Sequence, residues 1–378
     1  MDISIPLKAV LTLTGDDQLP SLSDDVYVSE PVLAQASRNG ANALIAPTDR
    51  LILSDMDEIG IGDDIGIIAN SIIGSVKNAS GGKYPVGAVL LPNEPAEGVT
   101  VVAFEDEHIA YLERMTAFKA AGADFAVAAG HTTLSSMRAA VMAAKVAALP
   151  IIVIMDVDEE GKSPTGTDYL ASLITLQALG ASAFGINCSG GFEEICELMH
   201  EAFPHAEIPL CAAGELAGFS DDQIRSLSFA GVSGWLDTSG KINAKHAELI
   251  DKYGTCFDGS TEKDSRAASV YCEAFFLPDD IELSEPLDCS FDISDELIDL
   301  DDENINAVCV SLHSTDEAAV LAEGAYMSRL PVCVTADDAT TLEAALRYFQ
   351  GRLIIDTRCG IPMSELNALG DKYGAILY

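Results

Sequence analysis

"GASAFGINCSGG", Gly180 to Gly191, sets one glycine before a short apolar run and two glycines after it. A glycine accepts the left-handed backbone that closes a helix, and a buried strand then follows within a residue or two. The same junction occurs at "GANALI" from Gly40 and at "GADFAV" from Gly122. Around these junctions, apolar runs of strand length alternate with amphipathic stretches of helix length. The strand candidates are "KAVLTLT" from Lys8, "ANALIAP" from Ala41, "PVGAVLLP" from Pro85 and "ADFAVAA" from Ala123. "PIIVIMD" from Pro150, "SAFGIN" from Ser182 and "IPLCAAG" from Ile208 continue the series. Short, continuous apolar strands separated by helices are the pattern of a parallel sheet buried on both faces. The repetition predicts a (β/α)8 TIM barrel, with an open doubly wound sheet as the alternative. For the eighth unit, "INAKHAELIDKYG" reads as a helix and "TCFDGST" as the short strand after it, so the barrel is expected to close near Arg266.

The expected organisation is a barrel over residues 1–270, an acidic connector over 271–305 and a smaller, partial α/β segment over 306–378. The connector is rich in acid and carries two prolines, and its leucines and isoleucines are expected to pack in part. After it, "AVCVSL", "PVCVTAD", "RLIIDTR" and "GAILY" read as strands with helices between them, too few for a second closed barrel.

The 378 residues are 48% hydrophobic, enough for a sizeable core, and carry a formal net charge of −39. Such a surface repels phosphate backbones and anionic lipid, which disfavours nucleic-acid and membrane-surface partners. The opening "MDISIPLKAVLTLTGDD" has no basic segment ahead of a long apolar one, so no signal peptide is expected. "AAVMAAKVAALPIIVIM" is interrupted by Lys145 and Pro150 and reads as helix, turn and strand, not as a membrane span. Nine cysteines without CxxC spacing point to reduced thiols in a cytoplasmic setting.

Several stretches imitate motifs and fail them. "GIGDDIG", Gly60 to Gly66, misses the dinucleotide spacing, and its aspartates repel phosphate; it reads as a loop opening a helix. "SGGK", Ser80 to Lys83, reads as a helix-ending turn. "DVDEEGKSPTGT", Asp156 to Thr167, resembles the start of a calcium loop but ends in Thr167, where a bidentate glutamate is needed. It reads as a strand-to-helix loop, with Thr167 or Asp168 capping the next helix.

His131, in "AAGHTT", falls just past the end of the fourth strand, where barrel enzymes keep their chemistry. It is either a functional histidine or a loop histidine in solvent. Most of the cysteines read as small buried apolar residues. Cys188, Cys211 and Cys256 fall at or near the ends of the predicted sixth, seventh and eighth strands. Strand ends in a barrel share one rim, and thiolates gathered there can hold zinc with one position open.

"YLERMTAFKAAGADFAVAAGHTTLSSMRAAVMAAKVAALPIIVIMDVDEEGKSPTGTDYLASLITLQALGASAFGINCSGG" resembles the homocysteine S-methyltransferase family, including the homocysteine module of cobalamin-dependent methionine synthases. The family's strand-five loop corresponds to Glu159, Gly161, Gly166 and Thr167, and its Gly-Val-Asn-Cys motif to Gly185, Ile186, Asn187 and Cys188. Weaker similarity extends over most of residues 1–266. "LPVCVTADDATTLEAALRYFQGRLIIDT" resembles part of a pterin-binding barrel. The resemblance implies a zinc-held thiol attacking a methyl donor, with methylcobalamin or a methyl-folate as donor on a partner. The candidate metal ligands of such a site, rebuilt in this chain, are Cys188, Cys256 and Asp258 or Cys211, and the candidate substrate-binding residues are Asn187, His131 and Glu159. The catalytic residues are left unassigned.

The chain also departs from that pattern. The family's paired cysteines are reduced to Cys256 in "GTCFDGST", and the glutamate expected to hold the substrate ammonium falls on Ala129 or Gly130. Three readings follow: a working thiol methyltransferase with a rebuilt zinc site, a pseudoenzyme or binding module that docks a corrinoid protein or another methyltransferase subunit, or an unrelated barrel enzyme such as an aldolase. The third is disfavoured because lysines are few and none is placed at the end of a predicted strand.

Overall fold

The computed structural model describes residues 10–12, 41–49, 51, 65–93, 103–215, 218–237, 244–253, 266–289, 293–300, 303, 305–324 and 327–378. These form two compact units. The first draws on 1–132, 136–161 and 181–261, and the second on 133–135, 162–180 and 262–378.

The first unit contains a closed barrel of eight parallel strands, each hydrogen-bonded to its neighbour in chain order. They are β1 (Val10–Thr12), β2 (Ala43–Ala46), β3 (Val86–Leu90), β4 (Phe125–Ala128), β5 (Ile151–Val157), β6 (Ala183–Cys188), β7 (Leu210–Gly214) and β8 (Val232–Asp237). β1 pairs with both β2 and β8, which closes the ring. The helices around the strand order are α1 (Ile65–Ala79), α2 (Phe104–Ala120), α3 (Leu134–Val146), α4 (Tyr169–Leu179), α5 (Phe192–Ala202), α6 (Asp221–Phe229) and α7 (Ala244–Tyr253). Seven strands lie within the stretches expected for them or a residue beyond. Asp168 caps α4, accepting from the Ala171 amide at 2.7 Å, and the left-handed Gly180 ends it. "SGGK" is a helix-ending turn after α1.

The eighth strand differs from expectation. It is "VSGWLD", not "TCFDGST", and α7 follows it instead of preceding it. Ser233 and Gly234 break the apolar run, and a glycine inside a strand weakens its local preference. Closure supplies what local preference lacks, because β7 and β1 each offer an unpaired edge that β8 satisfies. Trp235, 1% exposed, anchors it. "TCFDGST" itself lies outside the described residues, as do Gly40 and residues 60–64.

Inward positions follow the two-residue period of a strand. Ala43, Ile45, Phe125, Val127, Ile152, Ile154, Ala183, Cys211, Ala213 and Leu236 form one buried cluster. Room for the large members comes from glycine at Gly185. A β-carbon there would lie 2.7 Å from the Cδ1 of Ile154 and from the Cys211 carbonyl oxygen. The first residue of the Gly-Ile-Asn-Cys run is therefore a packing requirement of the barrel interior.

The second unit contains a five-stranded parallel sheet and a three-stranded antiparallel one. Its strands are β9 (Ala267–Val270), β10 (Glu273–Phe276), β11 (Leu287–Asp288), β12 (Val308–Leu312), β13 (Val332–Ala336), β14 (Gly351–Arg352), β15 (Ile354–Ile355) and β16 (Ile376–Leu377). Its helices are α8 (Ser294–Leu300), α9 (Thr315–Gly324), α10 (Ala339–Tyr348) and α11 (Met363–Tyr373). Within the acidic stretch, Ile281, Ile293 and Leu297 are buried. The unit also takes in α4, whose Thr175 hydroxyl lies 2.6 Å from that of Ser269 on β9. Among the described residues no helix is long and apolar enough to cross a membrane.

Candidate functional site

All eight strands of the barrel are parallel, so their C-terminal ends share one rim. Over β2 to β4 this rim is occupied by a buried polar network. Thr48 donates to the Val89 carbonyl at 3.0 Å and accepts from the Val89 amide at 2.7 Å. The Arg114 guanidinium donates to the Leu51 carbonyl at 3.3 Å and to Asn93 Oδ1 at 2.8 Å. These bonds tie the segments after β2 and β3 to α2.

His131 sits within this network, 1% exposed. Its Nε2 is 3.2 Å from the Leu90 carbonyl, which only accepts, so Nε2 carries a hydrogen. Burial lowers its pKa to about 4, so the ring is neutral near pH 7, and Nδ1 lies 2.9 Å from Ser136 Oγ. Ser136 Oγ donates to Glu107 Oε1 at 2.9 Å. Glu107 Oε1 is the acceptor here, taking hydrogen bonds from both Ser136 and Tyr111. Burial raises the Glu107 pKa, and Tyr111, which donates to the same oxygen at 3.0 Å, is itself pushed up by burial. Burial also lowers Arg114, to about 10, leaving it charged near neutrality. The expected substrate-binding histidine thus has both ring nitrogens committed to protein partners.

The rim over β5 to β7 is built differently. Asp156 and Asn187 are register partners on β5 and β6, and the Asn187 amide donates to Asp156 Oδ1 at 2.7 Å. Alternation from Ile152 and Ile154, and from Ala183 and Gly185, puts both on the inward face. Asp156 was not singled out from the sequence. The period-two continuation of "IIVIMD" was the available signal. Glu159 is exposed in the loop after β5, and its Cγ lies 2.7 Å from where a β-carbon on Gly190 would stand. Asn187 and Glu159 thus lie on neighbouring strand-end segments, and His131 belongs to the other arc of the rim.

Cys188 ends β6 on the face opposite Asn187, buried, and its thiol donates to the Asp158 carbonyl at 3.3 Å. Cys211 is no rim residue. It lies inside the barrel in register with Gly185, and burial pushes its thiol up to about 12. β7 ends in Ala213 and Gly214, and β8 in Leu236 and Asp237. Among the described residues no three His, Cys, Asp or Glu side chains are grouped to hold a metal ion. Cys256 and Asp258 lie outside those residues. The described donors do not fit a three-thiolate zinc centre.

The family model for homocysteine S-methyltransferase matches residues 68–238, from within α1 to one residue past β8. Over those residues the chain is similar to the homocysteine S-methyltransferase family. Homocysteine methyltransferase MmuM from Escherichia coli, in its metallated form, has a TM-score of 0.50 at 15% identity, covering 66% of this chain and 96% of that one. Its apo form aligns at 0.49 and 16% identity over 66% and 97%. A 3-hexulose-6-phosphate synthase from Salmonella typhimurium aligns at 0.38 and 15% identity over 65% and 99%. No curated protein matches the chain. The resemblance read in "GINCSGG" therefore holds for the family-type barrel, and the metallated relative shares its fold.

Proposed function

We propose that this chain is a homocysteine S-methyltransferase-type barrel that binds a small thiol amino acid at the rim over β5 to β7, without three-thiolate zinc chemistry. One observation carries the reading. Of the strand ends β6, β7 and β8, only β6 ends in a cysteine, and that thiol is spent on the Asp158 carbonyl. Zinc activation of a substrate thiol needs several protein ligands held around one open position. A barrel that keeps the fold and the Asn187 side of the rim, but gathers no described thiolates, supports binding more than methyl transfer. The eight described cysteines are all free thiols, which supports a reducing compartment.

Metal analysis of full-length protein purified without chelator tests the reading, together with homocysteine methylation assayed with methylcobalamin or S-methylmethionine. The expected results are zinc well below one per chain and no methionine formed. One zinc per chain that is lost in Cys188→Ser would restore the catalytic reading, with Cys188 as a ligand.

A further inference from the structure

We infer that Asp156, braced by Asn187, is a recognition site for a primary ammonium group on a small ligand entering the barrel mouth. The inference rests on the reading of this rim as a ligand site, and it adds the group recognised and the residue that recognises it. Asp156 is half-buried at the inward end of β5. Its Oδ1 accepts from Asn187 at 2.7 Å, and among the described residues its Oδ2 meets no donor. Below it the inward positions are Ile154 and Ile152, and those on β7 and β8 are Ala213 and Leu236, with Val89 and Ala129 packed against the same cluster. A carboxylate at the edge of an apolar lumen loses hydration, and a cation that pairs with it recovers that loss.

The neighbouring geometry leaves space on the same side. Gly214 ends β7 at φ +130°, and a β-carbon there would stand 3.0 Å from Asn187 Oδ1. With glycine at that point, the Asn187 carbonyl oxygen faces backbone and not a side chain, and it can accept a second hydrogen from the same ligand. An ammonium carries three donors in a compact head, which suits one carboxylate oxygen and one amide oxygen on adjacent strands. A phosphate or carboxylate headgroup would be repelled by Asp156.

Isothermal titration of the full-length chain with three probes tests this. L-homocysteine carries amine and thiol, 4-mercaptobutanoate lacks the amine, and L-2-aminobutyrate lacks the thiol. The expected result is at least ~10-fold tighter binding of L-homocysteine than of 4-mercaptobutanoate. Asp156→Asn, which keeps the shape and the bond from Asn187, should erase that difference by weakening L-homocysteine, with 4-mercaptobutanoate bound no more weakly than by wild type. Equal binding of L-homocysteine to wild type and Asp156→Asn would overturn the inference while leaving the thiol-binding reading intact. Binding of L-2-aminobutyrate alone, lost in Asp156→Asn, would support the inference and sink the thiol part of that reading. No binding of any probe would overturn both.

Discussion

The two arcs of the barrel rim spend their polar groups in opposite ways. Over β2 to β4, Glu107, Tyr111, Arg114, His131 and Ser136 are buried and bonded to one another or to backbone carbonyls. Over β5 to β7, Asp156 and Asn187 share one bond and are half-exposed. Groups satisfied inside the protein contribute to stability, and their removal leaves a buried partner unmatched. Groups that keep bonding capacity at a lumen mouth contribute little to folding and are free to act on a ligand. The difference separates framework from site without reference to any relative.

The largest expected effect lies in the framework arc. Arg114→Ala removes bonds to Leu51 and Asn93 and leaves Asn93 Oδ1 without its guanidinium donor, which should cost ~3–5 kcal/mol in urea unfolding. A loss under ~1 kcal/mol would erase the contrast between the arcs.

Next is an acid dependence. The His131 pKa falls from 6.5 in the unfolded chain to about 4 in the folded one. The unfolded chain therefore takes up this proton first as pH falls. The His131 contribution to stability is whole above about pH 6.5 and drains as pH approaches 4, by about 3 kcal/mol. Glu107 works the other way, since its raised pKa gives a contribution that is full below 4.5 and lost as pH rises through the folded value. Urea midpoints measured from pH 7 to 4 should show a flatter acid limb in His131→Gln and a steeper one in Glu107→Gln. An unchanged slope in His131→Gln would mean that the ring titrates normally.

Gly185→Ala probes the interior beneath the open arc. The added methyl meets Ile154 and the Cys211 carbonyl, and overpacking of this kind costs ~1–3 kcal/mol, readable as a lower thermal midpoint. The smallest stability effect is expected of Asp156→Asn, ~0–1 kcal/mol by the same urea measurement, because the bond from Asn187 survives the change. A cost as large as that of Arg114→Ala would make Asp156 part of the framework and remove its claim on a ligand.

Much of the barrel was legible from local pattern. Strands such as "PIIVIMD" and "SAFGIN" are continuous and apolar because both faces of a parallel barrel strand are buried, and glycines such as Gly180 mark where the helices stop. "VSGWLD" was not legible, since its serine and glycine carry no strand signal and its pairing comes from the free edges of β7 and β1. The candidate site divided along the same line. Asn187 and Cys188 stand out in one dimension as neighbours, yet the alternation of the strand sends them to opposite faces, and only the inward one meets Asp156. His131 follows its strand as expected, but whether a histidine faces solvent, ligand or core depends on α2 and α3 folding over it.

By itself, then, the amino-acid order determined the repeating strand–helix rhythm and the family likeness of residues 68–238, because both reside in local burial and short spacing. Only the tertiary structure decided which strand closes the barrel, which thiol lies in the interior and which polar groups are already spoken for. Those outcomes depend on partners far apart in the chain, such as Val10 with Leu236 and His131 with Leu90, that no local pattern encodes.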